Sequence, residues 1–180
     1  MHAVTPAGRT HTVVDSPYGP LTLVAEDSHL VGLYMAGQRH RPDQSTFGVR
    51  HFEPTDPPFA ETARQLAEYF AGHRDTFDLP LRLHGTPFQR RVWAGLREIP
   101  HGHTWTYADL AAHIGHPTAS RAVGLANGKN PIGIIVPCHR VVGADGNLTG
   151  YGGGLDRKRR LLEHEHALPA GAGVQQALAF

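Results

Sequence analysis

Thr86-Pro87-Phe88-Gln89 spells a helix start in residue types. A hydroxyl can cap the free amides, a proline occupies the first position where no donor is needed, and a glutamine can reach back to the cap. Phe88, Val92, Leu96 and Ile99 continue on one apolar stripe until Pro100 and Gly102 end it. This start divides the chain into unlike halves. Before it, His11 to Ser16, Leu21 to Glu26 and His29 to Met35 are short Val-, Leu- and Thr-rich runs broken by Pro17-Tyr18-Gly19-Pro20 and Asp27-Ser28, as in a meander. Gly37 to Pro54 is polar and unperiodic and is expected to be loop. Asp56-Pro57-Pro58 predicts an N-cap with proline at the first helical position, and Phe59, Ala63, Leu66, Ala67 and Phe70 follow at helical spacing to Gly72. Nothing in this half converges polar groups, so residues 1–80 read as scaffold, with a linker over 73–85. Strands first and helices second make the class α+β.

After the dividing helix, Thr106-Tyr107-Ala108-Asp109 begins a second, which Gly115 ends. Thr118 is expected to cap a third, carrying Ala119, Arg121, Ala122, Val123, Leu125 and Ala126 to Gly128. Two short helices around a tight turn form the helix-turn-helix pattern, whose second helix can enter a DNA groove; the same pattern also serves plain helix packing. Charge favours the former. Residues 1–80 carry 6 Lys+Arg against 10 Asp+Glu, a net of −4, whereas residues 81–165 carry 11 against 6, a net of +5. The third helix is also small-sided, with Ala119, Ser120, Ala122, Gly124 and Ala126 allowing close approach to something bulky.

The basic half holds the single cysteine of the 180 residues. Cys138 follows the apolar run Ile132 to Val136, expected to be a buried strand or strand-like segment ending at Pro137, and is followed by His139 and Arg140. An ordinary thiol with a pKa of about 8.5 is only about 3 % thiolate at pH 7, so a base or cation nearby must activate it. In an extended segment adjacent side chains diverge, so His139 is expected to reach Cys138 through a bridging water. One cysteine excludes an internal disulfide. The N-terminus lacks an apolar signal core and nowhere do 18 apolar residues run together, so a cytoplasmic chain with no membrane span is expected. The 14 histidines include no HExxH and no thiolate partner, so no metal is expected.

Four blocks carry a resemblance: Ala119-Ser120-Arg121-Ala122-Val123-Gly124; Ala126-Asn127-Gly128-Lys129-Asn130-Pro131; Pro137-Cys138-His139-Arg140-Val141-Val142; and Tyr151-Gly152-Gly153-Gly154-Leu155. In order and spacing this stretch, residues 86–165, resembles the O6-alkylguanine-DNA alkyltransferase family. The resemblance implies a ribonuclease H-like sheet-plus-helix domain over 1–80 and a winged helix-turn-helix domain over 81–165; the tail over 166–180 matches nothing and is expected to be disordered. It implies irreversible transfer of the alkyl group of O6-alkylguanine, and of O4-alkylthymine, from duplex DNA to a cysteine after nucleotide flipping. No cofactor and no obligate protein partner are implied. By resemblance the acceptor is Cys138, the water-linked base His139, its orienting carboxylate Glu165, the hinge Asn130, and the flipping and hydrogen-bonding tyrosine Tyr107. Arg121 would fill the vacated stack, with Ser120 and Asn127 beside it on the binding side. Tyr151 and Lys158 would flank the pocket, the backbones of Cys138 and Val141 would accept from the guanine amino group, and the Gly152 amide would face O6. Many relatives carry serine where this chain has Gly152, which keeps the backbone donor and removes a hydroxyl.

Two other classes use part of this equipment. A non-catalytic alkyl-base sensor shares the helices and pocket but lacks the acceptor cysteine. A cysteine hydrolase shares the thiol and imidazole but requires an oxyanion hole and turnover, and is indifferent to DNA.

Overall fold

The protein is described from a computed structural model covering residues 8–168. The chain divides between Leu83 and His84 into two compact units. In the first, β1 (Arg9–Val14), β2 (Leu21–Glu26) and β3 (His29–Met35) form an antiparallel meander. The first strand starts and ends two residues earlier than the sequence pattern indicates, because Asp15 and Ser16 lead into the turn, where the Ser16 hydroxyl donates to Gly19 O at 2.6 Å. Residues 37–54 are not all loop. Asp43 caps a 3-10 turn over Gln44–Phe47, and β4 (Val49–Arg50) pairs parallel to β1, giving the sheet order β3-β2-β1-β4. The turn drives Phe47 into a cluster with Val24, Val31 and Tyr34, stacked on the Tyr34 ring at 5.4 Å. Elements of two to four residues are too short to show a period, which is why the sequence pattern missed them.

Helix α1 (Phe59–Phe70) buries Phe59, Leu66 and Tyr69. Asp56 does not cap it with its side chain. Pro58 occupies the N-cap, the Asp56 carbonyl accepts from Phe59 and Ala60, and the Asp56 carboxylate turns instead to His51 Nδ1 at 2.7 Å. The stretch expected as linker is stitched into this unit as far as Arg82. Gln65 exchanges two 2.9 Å bonds with the Asp78 backbone, and Leu30 exchanges backbone bonds with Pro80 and Arg82.

The second unit is helical. Helix α2 (Pro87–Leu96) begins with the full Thr86/Gln89 capping box, and α3 (Tyr107–His113) with a matching Thr106/Asp109 box. Helix α4 (Ser120–Gly128) starts at N-cap Ala119 without a side-chain cap, not at Thr118. Pro117 and Thr118 are spent in a turn closed by the Ala119 amide on His116 O at 2.9 Å. Trp93 anchors α2 to α4, its indole donating to Ala126 O at 2.9 Å. Gly95 is required where α2 meets α3, since a Cβ there would lie 2.9 Å from Ile114 Cγ2 and 3.0 Å from Leu110 Cδ1. Strands β5 (Trp105–Thr106) and β6 (Val141–Val142) pair in parallel, and α5 (Leu155–His164) closes the unit. Leu162 of α5 packs with Val142, Leu148 and Ala167, so order extends past Glu165; the remainder of the expected disordered tail, from residue 169, lies outside the described residues. No helix among the described residues is long and apolar enough to cross a membrane.

Candidate active site

Cys138 is presented by a coil rather than a strand. Ile132, Ile134, Ile135 and Val136 are buried as their composition requires, but Ile135 donates back to Gly133 O at 2.8 Å and Val136 to Ile132 O at 3.0 Å, while Ile134 takes a φ of 69°. That conformation is uncommon for a β-branched residue and must be held in place. Asn130 holds it: its Nδ2 donates to Val136 O at 2.7 Å and its Oδ1 accepts from the Ile132 amide at 3.0 Å. A run buried on every side has no polar face to reveal its period, so strand and coil read alike in the sequence.

Cys138 opens the 3-10 turn Cys138–Arg140 that leads into β6, and is 6 % exposed. Burial pushes its thiol above the ordinary value, while a hydrogen bond with the Asn130 side chain and the Lys158 charge pull it down without prevailing. The resting residue is therefore a thiol. His139, fully buried, is lowered by burial, against which Glu165 pulls up and Arg140 and Lys158 push further down. It is neutral at pH 7. Its Nε2 lies 2.8 Å from Glu165 Oε1, and its Nδ1 has no hydrogen-bond partner among the described residues. Nε2 thus carries the proton, and Nδ1 presents a bare lone pair next to the thiol-bearing residue.

Arg140 does not serve the thiol. Its guanidinium points to Glu165, with Nε donating to Oε2 at 2.8 Å and Nη2 to Oε1 at 2.9 Å, while Nη1 donates to Ile99 O at 2.7 Å. Burial alone would raise Glu165, but His139 and Arg140 outweigh it and hold the carboxyl well below the usual range. The cation near Cys138 is Lys158, fully buried in α5. Its Nζ donates to Val141 O at 2.5 Å and Thr149 O at 2.7 Å, and burial pushes it down to about 8 against the opposing pull of Cys138. The Tyr107 hydroxyl donates to the same Thr149 carbonyl at 3.3 Å. Asn127, on the inner side of α4, donates from Nδ2 to Cys138 O at 3.4 Å.

The second unit thus gathers one buried thiol, a neutral imidazole with an open nitrogen, and a carboxylate on the opposite side of the ring. Residues 87–167 match the family described as 6-O-methylguanine DNA methyltransferase, DNA binding domain, and residues 10–83 match its ribonuclease-like domain. The chain belongs to the 6-O-methylguanine DNA methyltransferase family. It is 52 % identical over 155 residues to the methylated-DNA–protein-cysteine methyltransferase of Mycobacterium tuberculosis (strain ATCC 25618 / H37Rv), covering 86 % of this chain and 91 % of that one. To the constitutive methylated-DNA–protein-cysteine methyltransferase of Bacillus subtilis it is 44 % identical over 143 residues, covering 79 % and 86 %. Among solved structures, Mycobacterium tuberculosis OGT in complex with DNA superposes with a TM-score of 0.79 at 52 % identity, covering 88 % of this chain and 93 % of that one.

Within this methyltransferase fold, the remaining residues singled out from the sequence fall on α4 and in the turn before α5. Arg121 is exposed on the first turn of α4 and Ser120 is half-buried at its start. The small residues of α4 do not all face outward. Ala126 is buried under Trp93, and a Cβ on Gly124 would touch the Tyr107 ring at 3.7 Å, whereas Arg121, Ala122 and Leu125 face solvent. Tyr151 and Gly152 are half-buried in the turn preceding α5, where the Gly154 amide donates to Tyr151 O at 2.9 Å. Sequence reasoning missed the Arg140 grip on Glu165 and the convergence of Lys158 and Tyr107 on Thr149. The signal available was the presence of an arginine in a buried apolar setting, which demands a carboxylate partner. Among the described residues no three His, Cys, Asp or Glu side chains cluster so as to hold a metal ion.

Proposed function

We propose that the protein reverses alkylation damage directly, moving the alkyl group from O6 of guanine in duplex DNA, and by the same chemistry from O4 of thymine, onto Cys138, once per chain. The observation that carries this reading is the partnerless Nδ1 of buried His139, backed on its other nitrogen by Glu165 and adjacent to a thiol that burial keeps protonated. A water between Cys138 and Nδ1 relays the thiol proton to the ring, so the sulfur attacks as thiolate. The sulfur–carbon bond forms as the carbon–O6 bond breaks, and the bonding pair leaves with the guanine oxygen. The proton lost by the thiol is regained by the guanine ring, so normal base and a thioether are the net products. A thioether has no leaving group that this site could expel, so the protein is consumed.

A stacked guanine cannot reach a buried thiol, so the nucleotide must rotate out, at a cost of a few kcal/mol. Arg121, exposed at the start of α4, is suited to fill the vacated stack. The Mycobacterium tuberculosis relative solved in complex with DNA supports DNA as the partner. The reaction belongs in the cytoplasm, where a lone thiol stays reduced. The test is incubation with an oligonucleotide carrying one labelled O6-methylguanine. Label should move to protein, intact mass should rise by one methyl per chain, and Cys138→Ala should take none while still binding duplex. Free labelled product with repeated turnover would point to a hydrolase, and a methyl on any other residue would remove Cys138 from the mechanism.

A further inference from the structure

We propose that Arg140 is a positioning residue for this transfer, locking the Glu165 carboxylate so that His139 keeps Nδ1 open to take the thiol proton. The proposal rests on the functional reading above and adds a residue to it. On Glu165, Oε1 accepts from His139 Nε2 and Arg140 Nη2, at 2.8 and 2.9 Å, and Oε2 accepts from Arg140 Nε at 2.8 Å. The guanidinium is itself anchored by Nη1 on Ile99 O at 2.7 Å, just beyond α2. All of these groups are buried. A planar fork fixed at three points leaves the carboxylate no freedom to turn its second oxygen to the ring or to swing away.

The charge matters as much as the geometry. A lone buried carboxylate beside an imidazole stabilises the imidazolium, which cannot accept a proton from Cys138. Three ionisable side chains bear on His139: Glu165 at the end of α5, Arg140 in the same turn, and Lys158 from α5. Arg140 offsets Glu165, and Lys158 adds to that offset. The ring is thereby oriented by a carboxylate without being made too basic to stay neutral.

Two measurements test this. In 15N-histidine-labelled wild-type protein, the His139 ring should show the Nε2–H tautomer at pH 7 and titrate below the ordinary histidine value. An Nδ1–H tautomer, or an imidazolium at pH 7, would overturn the proposal without any variant. Single-turnover transfer at saturating duplex is then followed against pH. Arg140→Met should move the acid limb to higher pH, losing about tenfold in rate at a fixed acidic pH per unit of that movement and recovering as pH rises. A merely structural arginine would lower the rate by the same factor at every pH, and that result would refute the proposal. Arg140→Lys keeps the charge but not the fork, so its limb should stay in place while its rate falls across the range. This variant decides the matter if Arg140→Met does not fold, because a lysine variant as fast as wild type, or one with a displaced limb, contradicts the assignment. Absence of transfer by wild type would instead sink the functional reading, and the tautomer would still be read.

Discussion

Glu165→Gln should destabilise the second unit by about 3–5 kcal/mol at pH 7, the usual result of removing one member of a buried ion pair. The change is nearly isosteric, so packing is a minor term, and the loss comes from charge and hydrogen bonding. Glu165 is 1 % exposed and accepts from His139 Nε2 and twice from Arg140, which is itself 6 % exposed. The glutamine retains one acceptor oxygen. Its amide nitrogen must then face either the guanidinium or the imidazole N–H, both of which are donors, and the arginine charge is left buried without a counterion. Such a loss is a large fraction of the roughly 5–15 kcal/mol that holds a typical domain folded. Both tryptophans, Trp93 and Trp105, lie in the second unit, so their fluorescence during urea unfolding reports that unit alone. The urea midpoint should fall with its slope unchanged. Because the Glu165 carboxyl is depressed from an unfolded value of 4.5, its contribution is complete above that pH and is lost as pH drops through the lower folded value. The gap between wild type and variant should therefore narrow below about pH 4.5. Adding Arg140→Met to Glu165→Gln removes the orphaned charge and should recover part of the loss. A single-variant loss under about 1 kcal/mol, or a gap that persists unchanged at pH 3, would refute the ion-pair account.

Arg121→Ala should slow single-turnover transfer from a duplex lesion at saturating DNA and leave reaction with free O6-alkylguanine base near wild type; equal rates in both would mean that Arg121 does not assist flipping. Asn130→Ala strips partners from the Val136 carbonyl and the Ile132 amide, and should cost about 2–4 kcal/mol in the same tryptophan-detected urea melt while slowing transfer. A change below about 0.5 kcal/mol would show that the coil before Cys138 stands without its clamp. Lys158 falls from 10.5 in the unfolded chain to about 8 when folded, so the cost of burying its charge is full below pH 8 and is relieved between the two values. Relative to Lys158→Met, wild type should gain roughly 3 kcal/mol from pH 8 to 10.5, and a flat difference would mean that the ammonium is not buried as drawn.

What the sequence determined by itself was local. The Thr86/Gln89 box, the cap at Thr106 and the meander turns are decided within a few residues, because a helix start or a tight turn satisfies its own backbone groups. The same holds for the chemistry that residue type alone dictates: a single thiol, an imidazole after it, and a basic half around both. Local signals also competed and lost. Asp56 and Thr118 are good caps, yet the first carboxylate found His51 and the second residue was used up in the turn between α3 and α4. Tertiary structure decided where buried groups point. Nothing within the run 132–136 distinguishes strand from coil; the choice falls to the Asn130 clamp, whose two bonds reach both ends of the run. Nothing within Cys138-His139-Arg140 says which neighbour the guanidinium serves. Glu165 lies 25 residues on, and burial makes its pairing with Arg140 compulsory, since a charge cut off from water must be answered by another.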